Sequence, residues 1–288
     1  MLPTRDFLSL RDHPAHDLLA LVRRADELKR FWDERRTPPS LRDRCIALVV
    51  DDGGWRNTTA FDLGIQAMGG LCIHVPIERE TTEDLGRYLD NWFDAVVVRT
   101  RSLSDLRELA AAMRSPVINA RTRTNHPCEI LGDLSFIWSQ RHSLDGLKVA
   151  AVAGDDNILR SWVEAAAVLP IQVVQVFSKR WHLHDPTLLT SRFRANEDMR
   201  ELADADVLVT DCWPEHSLAE DLLPFQITAR ILDNLRPEAA FIPCPPVARG
   251  QEVSEDAMRS PLCRAVEAKN FLLHAQNALL EWILAGSS

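Results

Sequence analysis

Cys45-Ile46-Ala47-Leu48-Val49-Val50-Asp51-Asp52-Gly53-Gly54 is the stretch whose reading decides the fold. An unbroken run of six apolar residues ends in an acidic, glycine-containing turn. A run this short without alternation predicts a strand buried on both faces, as in a parallel sheet. Residues 57–69 then space their apolar side chains as a helix and stop at Gly69-Gly70, and Leu71-Cys72-Ile73-His74-Val75 reads as the next strand. Strand, helix and strand in this order form the crossover unit that parallel pairing requires.

The alternation extends in both directions. Residues 14–31 predict an amphipathic helix. Downstream come a helix at 83–93, a strand at 95–98, a helix at 103–114, a strand at 116–119 and a helix from Pro127 to about Gln140. Ser143-Leu144-Asp145-Gly146-Leu147 is a turn and a domain boundary. A second alternating half follows, with strands at 149–153, 171–177, 206–210 and 239–243 and a long amphipathic helix at 267–285. The expected fold class is α/β: two Rossmann-like domains, each with a central parallel sheet flanked by helices. The expected domains are residues 1–142 and 143–266, with the segment 267–288 packing back on the first.

Composition removes several classes of function. The net charge is −9 with no basic block, which argues against a nucleic-acid partner. Cys45, Cys72, Cys128, Cys212, Cys244 and Cys263 are scattered, with no CxxC pair and no Cys/His ligand spacing. That pattern predicts neither a zinc site nor a disulfide framework and fits a reduced cytosolic compartment. Met1-Leu2-Pro3-Thr4-Arg5-Asp6 lacks the pattern of a signal peptide, and no apolar run approaches the ~20 residues that span a membrane. A cytoplasmic protein without a membrane partner is expected. Val152-Ala153-Gly154-Asp155-Asp156-Asn157 joins a strand to a helix without GxGxxG spacing, and the chain has no Walker A sequence, so a nucleotide site is not expected.

In open α/β sheets, ligands bind beyond the carboxyl ends of the strands. The residues to examine are therefore Gly53–Thr59, Arg99, Asn119–Glu129, Gly154–Ser161, Asp211–Ser217 and Pro243–Gly250, with the cleft between the domains as the expected location. Among them, Thr124-Asn125-His126-Pro127-Cys128-Glu129 carries the most chemistry. Proline suits the first turn of a helix because its missing N–H would have no partner there. His126 is thus placed at a helix N-terminus, where the dipole and free N–H groups favour an anion or a polarised carbonyl.

Taken in order, these segments resemble the aspartate/ornithine carbamoyltransferase family, and its ornithine branch most closely. Phe61-Asp62-Leu63-Gly64-Ile65-Gln66-Ala67-Met68-Gly69-Gly70 is similar to the helix after the family's phosphate loop. His126-Pro127-Cys128-Glu129 resembles its His-Pro-Cys-Gln motif, and Thr210-Asp211-Cys212-Trp213 its Thr-Asp-x-Trp. Cys244-Pro245-Pro246 resembles its His-Cys-Leu-Pro segment, and Asn270–Gln276 its terminal helix with Leu-His-Ala-Gln. The resemblance implies attack of a neutral amine on the carbamoyl carbon of carbamoyl phosphate, no metal, no organic cofactor and a homotrimer. It assigns carbamoyl phosphate to Arg56, Asn57, Thr58, Arg99, His126 and Glu129. It assigns the amino acid to Asn157, Asp211, Glu215, His216, Cys244 and Pro245, with Arg99, His126 and Cys244 at the reacting atoms.

The chain also departs from the family pattern. The phosphate loop Ser-Thr-Arg-Thr-Arg is matched by Gly54-Trp55-Arg56-Asn57-Thr58, which loses a serine and an arginine and lies beside Asp51 and Asp52. Each charge-assisted bond lost is worth roughly 1.5–3 kcal/mol. Glu129 replaces a glutamine, and an ionised carboxylate can only accept. It is expected to pair with a basic substrate, Arg56 or Arg99, or else to be a solvated first-turn carboxylate. Phe271-Leu272 stands where the family's terminal helix has its arginine, so a site cation is expected to be missing. Glu215-His216-Ser217 replaces the Ser-Met-Gly that follows the ornithine branch's tryptophan, which implies a changed amino-acid pocket. The same departures fit an alternative: a family member that keeps the fold and a binding pocket without turnover.

Overall fold

The computed structural model describes residues 6–51, 53–76 and 81–285. The chain divides into two compact units, one made of residues up to His142 together with those from Lys269 onward, the other of Ser143–Ala268.

In the first unit, α1 (Ala15–Asp33), β1 (Cys45–Val50), α2 (Trp55–Ala67), β2 (Leu71–Val75), α3 (Thr82–Leu89), β3 (Ala95–Arg99), α4 (Leu103–Ala112), β4 (Val117–Arg121) and α5 (Pro127–Arg141) follow in order. The sheet is parallel throughout, in the order β2-β1-β3-β4. Its central strands are buried on both faces, which is why they read as unbroken apolar runs. Ala47, Val49, Val96 and Val98 face the α3 and α4 side with Leu89, Leu106 and Leu109. The opposite face takes α2 along β1 and β2, α5 along β4, and α1 against α5.

In the second unit come β5 (Lys148–Val152), α6 (Asn157–Val168), β6 (Gln172–Val176), β7 (Phe193–Asn196), β8 (Val207–Thr210), α7 (Ala219–Leu222), α8 (Ala229–Leu232) and β9 (Ala240–Pro243). They build a second parallel sheet in the order β7-β6-β5-β8-β9. Its core joins Val152, Val176, Leu208 and Phe241 to Phe225, Ile227 and Leu232. α9 (Ala265–Leu284) begins in this unit, and from Lys269 it belongs to the first.

Some elements differ from the sequence expectation. β4 runs to Arg121, two residues past the expected end at Asn119. α3 stops at Leu89 because Asp90 turns its carboxylate onto the backbone N–H groups of Arg114 and Ser115 (2.9 Å each), tying the chain down there. β7 was not expected: Phe-Arg-Ala-Asn on the sheet edge leaves both faces partly exposed and carries no apolar run.

Candidate active site

In the first unit the chain leaves β1 for β2 on one side and then crosses to β3 on the other. Ligand crevices open where strand order reverses in this way, here between the carboxyl ends of β1 and β3. The two ends are tied together by the Asp51 N–H donating to the Arg99 carbonyl at 2.9 Å. The Arg99 guanidinium crosses Gly54, where an added Cβ would lie 2.3 Å from its Cζ. Gly54 also holds φ at +97° as the N-cap of α2, a conformation that glycine adopts without strain. Glycine in place of the family's serine therefore makes room for Arg99.

His126 is the N-cap of α5, and Pro127 occupies its first turn. The preceding loop is fixed by amides: Asn119 and Asn125 donate to the Leu8 carbonyl at 2.9 and 3.0 Å, and Asn119 also donates to Asn125 Oδ1 at 2.7 Å. Thr122 Oγ1 donates to the same Oδ1 at 2.9 Å. Burial lowers the His126 imidazolium to about 3, with Arg99, Arg121 and Lys269 pushing the same way and Glu129 opposing them. The ring is neutral at pH 7 and can donate an N–H without being an acid.

Glu129 is only 6% exposed, so it is not a solvated carboxylate. Its Oε2 lies 3.6 Å from His126 Nε2, and its Oε1 lies 2.7 Å from Lys269 Nζ. The ammonium of Lys269 reaches Asp133 Oδ1 at 2.7 Å as well. Burial raises the Glu129 carboxyl, but Lys269, His126 and Arg99 outweigh it and hold the group below the usual carboxylate range. Burial pushes Asp133 up to about 6, with Glu129 adding to the rise and Lys269 only partly offsetting it. The single ammonium is resolved in favour of Glu129. The sequence reading missed Lys269 and counted a cation as lost; on α9 it lies three residues, about one turn, before Leu272.

The loop residues divide. Asn57 is 3% exposed, and neither its Oδ1 nor its Nδ2 meets a hydrogen-bond partner among the described residues. Its carbonyl accepts from Gln276 Nε2 at 3.3 Å. Thr58 turns its hydroxyl back to the Trp55 carbonyl at 3.2 Å. Arg56 is exposed, with its guanidinium 5.1 Å from the centre of the Trp55 ring. It forms no hydrogen bond or ion pair among the described residues. Asp51 is exposed, and Asp52 lies outside the described residues.

The second unit reverses its strand order between β5 and β8. Asp156 caps α6, its carboxylate accepting from Ile158 and Leu159 N–H at 3.0 and 3.1 Å, and buried Asn157 is the first residue of that helix. Burial, with Asp211 adding to it, raises the Asp156 carboxyl well above its usual range against those two bonds. Asp211 follows β8, and its Oδ1 accepts the N–H of Cys212 at 2.8 Å. Burial pushes the Cys212 thiol up to about 12, with Asp211, Glu252 and Asp156 adding to it. A Cβ on Gly154 would meet Pro214 Cγ at 2.9 Å, so the segment after β8 packs on the β5–α6 loop. The Cys244 N–H donates to the Thr210 carbonyl at 2.9 Å, which brings the Cys244-Pro245 segment to the same strand ends. Glu215 and His216 sit exposed in a turn. A cavity of 460 Å³ lined by Lys148, Gln172 and Arg194 lies near the amino ends of β5 and β6, away from this chemistry.

Fold and sites together define a two-unit doubly wound α/β protein with a polar site at each switch point, cationic in the first unit and acidic in the second. Residues 5–139 match the family model described as the carbamoyl-P binding domain of aspartate/ornithine carbamoyltransferase, and residues 145–283 match its Asp/Orn binding domain. The chain is 32% identical to the ornithine carbamoyltransferase of Chlorobaculum tepidum over 304 residues, covering 96% of this chain and 88% of that one. It is 29% identical to the anabolic ornithine carbamoyltransferase of Pseudomonas aeruginosa, with 98% of each covered. Among solved structures, the ornithine carbamoyltransferase from Pyrococcus furiosus superposes with a TM-score of 0.94 at 25% identity, covering 99% of this chain and 98% of that one. The Thermus thermophilus enzyme gives 0.91 at 29% identity, covering 99% and 100%. The chain belongs to the aspartate/ornithine carbamoyltransferase family.

Proposed function

We propose that this chain is an ornithine-type carbamoyltransferase, moving the carbamoyl group of carbamoyl phosphate to the side-chain amine of ornithine. The amine nitrogen bonds to the carbamoyl carbon, the carbon–oxygen bond to phosphate breaks, and the amine proton leaves with the departing phosphate or solvent. The observation that carries the reading is the assembly of Arg99, neutral His126, Glu129 and Lys269 at the switch point of the unit matched as carbamoyl-P binding.

The chemistry needs donors where negative charge grows. Arg99, the free N–H groups at the start of α2 and the Asn57 amide take the phosphate, and the His126 N–H takes the carbamoyl oxygen. Unsatisfied, a buried amide such as Asn57 costs roughly 1–3 kcal/mol, which a ligand contact would recover. Arg56 joins by exchanging its stack on Trp55, worth about 0.5–1 kcal/mol at an exposed site, for a phosphate contact. Thr58 supports the first turn of α2. Lys269 is a positioning residue, keeping Glu129 ionised beside His126.

On the second unit, Asn157 and Asp211 take the α-carboxylate and α-ammonium of ornithine. Cys244 and Pro245 line the place of its side-chain amine, and Glu215 and His216 edge the pocket. The reading includes a cytoplasmic homotrimer. It is supported by six free thiols, by the absence of any helix long and apolar enough to cross a membrane among the described residues, and by exposed Leu63, Leu71 and Ile73 around the β2 edge.

The test is phosphate release from carbamoyl phosphate with ornithine and a panel of other amines, alongside light scattering for the subunit number. Ornithine-dependent release is expected. No release with any amine of the panel, from folded protein that still binds carbamoyl phosphate in a calorimeter, overturns transfer and leaves a binding protein.

A further inference from the structure

On the outer side of the first unit, three side chains of different chemistry converge. β2 is the edge strand of its sheet, and Cys72 and His74, two residues apart on it, point to the same face. α2 crosses that face and supplies Asp62. One ligand atom from each of the three lies within 4.8 Å of the other two. His74 Nε2 and Asp62 Oδ2 are 3.3 Å apart. Bonds of about 2.0–2.1 Å from a tetrahedral zinc ion to nitrogen and oxygen set an N···O edge of about 3.3 Å, so this edge already has the required length.

We propose that Asp62, Cys72 and His74 form a binding site for a borderline-soft divalent ion, Zn2+ being the best match, separate from the carbamoyl phosphate machinery. A thiolate, an imidazole and a carboxylate select zinc or cobalt over magnesium or calcium, which take oxygen ligands. Gln66 Nε2 donates to Asp62 Oδ1 at 2.6 Å, leaving Oδ2 toward His74; this is the outer contact that orients a ligating carboxylate. In the single chain His74 is exposed while Asp62 and Cys72 are half-buried, which leaves the fourth position of an ion open to water or to a side chain of a subunit docked at the same β2 edge. Cys72 presents its thiol within 4.8 Å of the Asp62 carboxylate. Binding exchanges that thiol proton, released to solvent, for the ion, and no oxidation is involved. The sequence concealed this site: Cys72 and His74 do not have the spacing of a finger or ribbon, and the third ligand sits ten residues earlier on a helix.

The test is titration of the full chain with Co2+, followed by displacement with Zn2+. The expected result is saturation at one ion per chain, with the strong visible absorption of a tetrahedral site and a near-ultraviolet thiolate-to-cobalt band, both removed by Zn2+. Cys72→Ser abolishes the thiolate band, and both Cys72→Ser and His74→Ala weaken Zn2+ binding at least ~100-fold. Gln66→Ala weakens it ~10-fold, and Cys244→Ser leaves the band intact. Circular dichroism confirms that each variant is folded. Absence of stoichiometric binding, weak octahedral absorption only, or a thiolate band that persists in Cys72→Ser and vanishes in Cys244→Ser would overturn the proposal and leave an Asp62–His74 pair beside a thiol.

Discussion

The switch points of the two units solve opposite problems with the same topology. In the first, Arg99, Arg121 and Lys269 surround a neutral imidazole, and the buried carboxylate Glu129 is held ionised by Lys269. In the second, the group buried at the start of α6 is itself a carboxyl, Asp156, whose proton affinity is driven up by burial, with another carboxylate, Asp211, adding to the rise. One site is prepared for an anion and the other for a cation. The doubly wound sheet fixes where ligands meet the protein, and a few residues at the strand ends fix the sign of the charge they carry.

The contrast is broken most severely at Lys269. Lys269→Met leaves Glu129 and Asp133 buried without their shared cation and is expected to cost ~3–5 kcal/mol in urea unfolding. Adding Glu129→Gln should recover part of that loss, whereas full additivity would mean the two side chains are not coupled. Arg99→Ala removes a donor to developing negative charge, and carbamoyl transfer should fall ~10²–10³-fold in kcat/KM, measured by phosphate release. In the second unit, Asp156→Asn keeps the helix cap, since asparagine caps as well as aspartate. It is expected to change stability by less than ~1 kcal/mol while raising KM for ornithine ~10-fold. An unchanged KM would remove Asp156 from the acidic site.

The smallest effect concerns pH. Asp133 is raised in the folded state to about 6, above its unfolded value, so between about 4 and about 6 the native protein holds the extra proton. Its contribution to stability is complete below that window and lost as pH rises through it. Asp133→Asn should reduce the fall in stability over this window by up to one proton's worth of slope, seen by denaturant unfolding at several pH values.

Much of this was legible in the chain because the signals were local. Cys45–Val50 and Ala95–Val98 are buried on both faces and could read only as unbroken apolar runs. His126 was placed at a helix start by the proline after it, and it is found there. What stayed hidden was set by packing across long separations. Lys269 finds Glu129 and Asp133 only when α9 packs beside α5, and no spacing rule connects residues so far apart. The exposed stack of Arg56 on Trp55 was hidden for a different reason: a motif match preserves residue type but not the direction in which a side chain leaves its turn. β7 was hidden because an edge strand with little to bury has no hydrophobic pattern to show.

The return of α9 to the first unit sets an order of events during biosynthesis. Everything that the unit spanning Ser143–Ala268 needs has been synthesised before Lys269 is added. Domains generally mature in the order in which they are made. Here the half that starts first cannot be completed on its own, because Glu129 and Asp133 lack their countercharge until the segment from Lys269 onward has been made.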